Sequence, residues 1–151
     1  MYIVFIRFVS EYLVFLLLLP IFYFLKKRDY QTCLKIFISV AITYLLRKVA
    51  GSFWYEQRPF IIDSTKLLYP TALTVKDNSF FSGHAAIAMA TAGTVFWKYK
   101  KMGLILIGLA VAVGMGRVLA GLHYEIDVMV GFFVGFLVSY LIKILFHRLD
   151  I

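Results

Sequence analysis

Only one cysteine, Cys33, occurs among the 151 residues, and acidic side chains number eight against sixteen lysines and arginines. The lone cysteine excludes an internal disulfide and any zinc site built from cysteines. The few carboxylates form no second cluster and no HExxH-type spacing, so nothing suggests a metal, and no pattern calls for a cofactor. Internal repeats, low-complexity tracts and interdomain linkers are missing too, which leaves one domain over residues 1–151. Polar residues are the scarcest class. The chain is 62% hydrophobic, whereas a soluble domain averages about 45–50%, and this excludes an ordinary soluble fold. In such a chain the net charge of +8 points to cytoplasmic loops and anionic membrane lipids as its partners, not to nucleic acid.

What is present is a series of apolar runs. A spanning helix needs roughly 20 mostly apolar residues, and five segments are expected: about Tyr2–Leu25, Thr32–Trp54, Gly83–Trp97, Met102–Leu119 and Tyr124–Phe146. The run Tyr12–Leu25 lacks a basic n-region and a small-x-small cleavage site, so it is expected to be a retained helix. The fold class is therefore an all-α integral membrane protein, a bundle of about five transmembrane helices. The stretch Tyr55–Ser82 is too polar for lipid and reads as a long external connection. Placing Lys26–Arg28 inside also puts Lys35, Lys98, Lys100, Lys101, Lys143 and Arg148 inside, with the N-terminus outside and the C-terminus inside.

With that orientation the outer ends of the helices collect ionisable residues that apolar runs do not need. Arg58 follows the second helix, His84 opens the third, Arg117 closes the fourth, and His123 and Asp127 open the fifth. Such residues at membrane depth mark function, and together they predict a site at the outer membrane–water interface. Arginine forks grip phosphate oxygens in pairs. Ser82 and Gly83 begin a helix whose free N–H groups and dipole favour an anion, and Ser82 is also expected as its N-cap. His123 and Asp127 are four apart on one face, so the carboxylate can hold Nδ1–H and leave Nε2 as a bare lone pair, a nucleophile or base. Gly131 and Gly135 continue that row as a close helix contact. His147, beside Arg148, reads as an interfacial residue.

These residues resemble the type 2 phosphatidic acid phosphatase superfamily of integral-membrane lipid phosphatases, whose members carry K-x6-R-P, P-S-G-H and S-R-x5-H-x3-D. Here "RP" is Arg58–Pro59, "FSGH" is Phe81–His84 and "GRVLAGLHYEID" is Gly116–Asp127. "WYEQRPF" with "DNSFFSGH" looks most like the bacterial undecaprenyl-diphosphate phosphatases of that family. Three positions depart from the pattern. The block-one lysine position is Gly51, with Lys48 one turn earlier as the cation that would reach the phosphate. The block-two proline is Phe81. The block-three serine is Gly116, where a backbone N–H would partly serve.

The resemblance implies a bacterial inner-membrane enzyme, its site facing the periplasm or cell exterior, that removes phosphate from lipid phosphates or diphosphates. Undecaprenyl diphosphate, lipid A 1-phosphate and phosphatidylglycerol phosphate are the candidate lipids. It implies no metal: His123 attacks phosphorus and becomes a phosphohistidine, Asp127 orients it, His84 protonates the leaving oxygen, and Arg58 and Arg117 hold the phosphoryl oxygens. The same residues would serve a lipid-to-lipid phosphotransferase. A bis-histidine haem protein or a small channel is the non-enzymatic alternative.

Overall fold

The computed structural model describes residues 1–74 and 76–149; Val75, Asp150 and Ile151 lie outside the described residues, so the expected unit of residues 1–151 is described up to Leu149. All regular structure among the described residues is helical: α1 Tyr2–Lys26, α2 Tyr30–Phe53, a short α3 Pro59–Ile62, α4 Gly83–Lys98, α5 Lys100–Leu119 and α6 Glu125–Arg148. Each of the five expected runs is present, with ends shifted by a few residues. The start of α2 has a visible cause. Asp29 caps it, its carboxylate accepting the Thr32 N–H at 3.3 Å and the Thr32 hydroxyl at 2.7 Å, which satisfies a donor the first helical turn leaves free. α1 is not one smooth helix. It holds a π turn at Phe8–Tyr12 and re-forms at Pro20–Lys26, because Pro20 has no N–H to continue the ladder.

Three helices, α1, α5 and α6, are long and apolar enough to cross a membrane, and the protein is a multi-pass membrane protein. α4 has 16 residues, about 24 Å of helix, less than the roughly 30 Å hydrocarbon core. It needs no lipid-facing length of its own, because it is the central element. Ten consecutive-to-near-consecutive residues between Ala85 and Val95 are buried, most of them alanine, glycine or threonine, and it packs on α2, α5 and α6. Small side chains let helix backbones approach closely. The expected contact at Gly131 and Gly135 is the α4–α6 seam: a Cβ on Gly131 would stand 2.8 Å from the Ser82 carbonyl oxygen, and one on Gly135 would overlap that of Ala86. Around this axis Phe24, Ile36, Leu106 and Val113 fill the core, while Phe22, Phe37, Ile105 and Phe133 are exposed on the outside, as a lipid-facing surface requires.

The C-terminal ends of α2 and α5 and the N-terminal ends of α4 and α6 meet at one end of the bundle, under the 55–82 connection. Asn78 pins that connection down. Its amide donates to the Gly51 and Trp54 carbonyls and accepts the N–H groups of Glu56 and Phe80, both at 3.0 Å.

Candidate active site

At that end lies a cavity of about 510 Å³ whose wall includes Arg47, Lys48, Arg58, Gly83, His84, Arg117 and His123. His123 stands in the turn joining α5 to α6. The turn reverses at Gly121, which has φ +72° and a Cβ position blocked by the Lys66 carbonyl, a conformation that favours glycine. His123 Nε2 is 3.1 Å from Arg58 Nη1. Arginine can only donate, so Nε2 accepts and carries the lone pair, and the ring proton is on Nδ1. Nδ1 faces Asp127 Oδ2 at 3.5 Å and the Ser79 hydroxyl at 3.4 Å. Asp127 is fully buried, and its Oδ2 also accepts the Tyr124 N–H at 3.0 Å and the Ser79 hydroxyl. Burial pushes the His123 imidazole below its ordinary pKa; Asp127 pulls upward, and Arg58 and Arg117 add to the depression. Burial and the two arginines favour the neutral ring, whose Nε2 meets Arg58 at the cavity wall.

Arg58 is held rigidly. It donates to the carbonyls of Leu122 at 2.8 Å, Asn78 at 3.0 Å and Asp77 at 3.2 Å. Burial first, then Arg117 and Arg47, push its pKa down to about 10, which leaves it cationic at neutral pH. Arg117 is buried, with Nη1 3.5 Å from the Ser10 carbonyl of α1 and Nε without a partner among the described residues. A buried donor left open is costly, and here it borders the cavity that a ligand would fill. His84 is half-buried on the same wall.

Thus Arg58, His84, Arg117, His123 and Gly83 converge as expected, with Asp127 directly behind His123. Two details differ. Ser82 makes no side-chain cap, its hydroxyl is buried without a partner among the described residues, and its backbone N–H donates to the Asp127 carbonyl at 3.0 Å. That N–H is therefore not free for an anion; it ties α4 to α6. Gly116 does not line the cavity. A Cβ there would stand 3.1 Å from the Ser10 backbone nitrogen, so the block-three position is a close contact with α1.

Lys48 reaches the wall, but its side chain is exposed and its ammonium lies 5.6 Å from the centre of the Tyr44 ring. The cation turned inward is its neighbour. Arg47 donates to the Asn78 carbonyl at 2.7 Å, and its Nη1 stands 2.7 Å from where a Gly51 Cβ would be. The glycine at the block-one lysine position thus makes room for a guanidinium delivered from one turn earlier. In the sequence Arg47 reads, with Lys48, Arg58 and Arg117, as a helix-end cation that a site could hold, but the block-one role falls there to Lys48; the i,i+4 spacing of Arg47 to Gly51 places both on one helical face. Ser79 and Asn78 were missed; a hydroxyl and an amide just before the start of α4 were the available signal.

The bundle is that of a multi-pass membrane protein, and it gathers a carboxylate-oriented histidine, a second histidine and three arginines around one cavity at one end. Residues 32–150 match the PAP2 superfamily, and the chain belongs to that family. It is 30% identical over 129 residues to the protein named bacitracin transport permease protein BcrC of Bacillus licheniformis, covering 82% of this chain and 62% of that one. It is 31% identical over 91 residues to undecaprenyl-diphosphatase BcrC of Bacillus subtilis (strain 168), covering 60% of this chain and 44% of that one. The match thus spans 44–62% of the length of these relatives. In fold it is similar to the crystal structure of Aquifex aeolicus LpxE, with a TM-score of 0.72, 24% identity and 92% of each chain covered.

Proposed function

We propose that the protein is a lipid phosphatase that removes phosphate from a membrane lipid phosphate or diphosphate through a phosphohistidine on His123. The observation that carries this reading is the paired hold on His123: Asp127 and Ser79 at Nδ1, and Arg58 within 3.1 Å of Nε2. An incoming phosphoryl oxygen takes over the Arg58 N–H, which releases the Nε2 lone pair to attack phosphorus. The bond from phosphorus to the lipid or bridging oxygen breaks, and His84 gives that oxygen a proton. Water then attacks the phosphohistidine, His84 takes the water proton, and inorganic phosphate leaves. Arg58, Arg117 and Arg47 neutralise the charge that builds on the phosphoryl oxygens, the task a metal would otherwise perform. Gly83 lines the cavity, Ser82 lies buried behind it, and Lys48 sits at the rim.

The activity in the name of the Bacillus subtilis relative favours undecaprenyl diphosphate as substrate; phosphatidylglycerol phosphate and lipid A 1-phosphate present the same group at headgroup depth. The site faces the periplasm or cell exterior of a bacterial inner membrane, in keeping with the lysines and arginines gathered at the other end. The test is phosphate release by purified protein in detergent, with a chelator present and no added acceptor, from each of the three lipids. Release is expected, fastest from undecaprenyl diphosphate. Activity that requires an acceptor lipid would make the protein a transferase, and activity that requires a divalent ion would overturn the metal-free reading.

A further inference from the structure

A second cavity, of about 290 Å³, lies between α2, α4 and α6. His84 and Trp97 are thirteen residues apart on α4, about 20 Å of helix, so this cavity occupies the opposite end of the bundle from His123. Lys35, Lys98, Lys143 and His147 stand around it, and the hydroxyl residues Thr32, Thr94 and Ser139 form a buried polar floor. One acid reaches the group. Asp29 Oδ2 is 2.8 Å from Lys98 Nζ, and the same oxygen accepts the Tyr99 and Thr32 hydroxyls. Lys35 and Lys143 have no carboxylate partner among the described residues. Their ammonium groups lie over aromatic rings instead, Lys35 at 4.9 Å from the Phe146 centroid and Lys143 at 4.6 Å from that of Trp97. A ring positions a cation without cancelling its charge. Lysines that serve only to orient a chain need no cavity; Lys26 and Lys101 are exposed and are not among the residues around this one.

We propose that this cavity binds the phosphate of an anionic glycerophospholipid in the leaflet opposite the active site. The net positive wall matches a single phosphodiester charge, with the ammonium groups of Lys35 and Lys143 as its open donors. Tyr140, three residues before Lys143 on α6 and exposed, has its ring 5.7 Å from the Lys143 ammonium and gives an acyl chain an apolar surface beside the charge. Basic pockets between membrane helices on the cytoplasmic side recognise headgroups in this way. The proposal does not depend on what His123 does.

Trp97 reports on the cavity, and Trp54 is the only other tryptophan. The full chain carrying Trp54→Phe is placed in nanodiscs with chain-brominated phosphatidylglycerol or brominated phosphatidylcholine, and quenching of Trp97 is measured against lipid fraction. Half-quenching is expected at a roughly tenfold lower fraction of the anionic lipid. Lys35→Gln with Lys143→Gln should abolish that preference, and the arginine pair at the same positions should keep it. Lys26→Gln with Lys101→Gln, which removes equal charge elsewhere on this face, should leave it intact. Equal quenching by both lipids, or equal loss in the Lys26/Lys101 variant, overturns the proposal in favour of a diffuse positive surface. Full relief of quenching by inorganic phosphate at the lipid's own concentration would assign the cavity to free phosphate and overturn the lipid.

Discussion

His123 and His84 share one cavity but hold different positions, and the difference is testable. A nucleophile is needed whatever departs, whereas an acid matters in proportion to the basicity of the leaving oxygen. His123→Ala is therefore expected to be inactive on every substrate. His84→Ala should be severely impaired on a lipid monoester and recover much of its relative rate on an aryl phosphate, whose phenolate leaves unaided. Equal losses on both substrates would sink this division of roles. Arg47 offers a second test at this scale. Arg47→Ala should lower kcat/KM at least about tenfold, ~1.4 kcal/mol of barrier, while Lys48→Ala changes it little. Once Arg47 is gone, the space at Gly51 is open, so adding Gly51→Lys to Arg47→Ala should restore part of the loss. No rescue would mean that Arg47 acts by holding the Asn78 carbonyl instead of the phosphate. His123, Asp127, Arg58 and Arg117 were legible in the sequence because ionisable groups stand out in apolar runs. The part played by Arg47 was not, because which of two adjacent cations turns inward depends on the space left by a glycine four residues away.

At the scale of the elements, the α4–α6 seam sets the spacing between His84 and His123. Gly135→Val would drive a side chain into the backbone of α4 at Ala86. It should cost more than the ~1–3 kcal/mol of ordinary overpacking, read as a lower unfolding temperature in detergent, and it should lower activity although no residue of the cavity changes. Wild-type stability with wild-type activity would show that the seam can open freely. At the far end, Asp29 joins α2 to α4. Burial opposes its charge, but the bonds from Lys98, Thr32 and Tyr99 outweigh burial and hold the carboxyl well below its ordinary range. A carboxylate depressed by folding stabilises the protein fully above its unfolded pKa, near 4, and loses that contribution as pH falls through the lower folded value. Thermal unfolding of the wild type should therefore weaken below about pH 4, and Asp29→Asn should weaken it at neutral pH and remove that part of the pH dependence. The helices were readable from apolar runs alone. Their caps and interruptions were less so, since the π turn at Phe8–Tyr12 and the early start of α2 depend on contacts that hydropathy does not encode.

Across the whole molecule the two ends of the bundle differ in kind, one with three arginines turned into a cavity and the other with lysines spread over rim and loops. A reporter inserted near Ser64 should behave as external, and one fused after Ile151, a position outside the described residues, as cytoplasmic. A cytoplasmic Ser64 would invert the orientation and place the His123 cavity on the inner face. By itself the sequence determined that the chain is helical and embedded in lipid, because hydrophobic runs of this length have no other stable setting and an α-helix satisfies its own backbone there. It also marked the His123 end as a candidate site, although His123 lies in the turn before α6 and meets Asp127 through that turn, not through the shared helical face that the spacing predicts. Only the tertiary structure decided which donors remain available. Ser82 gives its N–H to Asp127, Gly116 closes against α1, and Arg47 fills the room at Gly51, because a group's partners depend on what the fold packs against it, and residues far apart in the chain supply them.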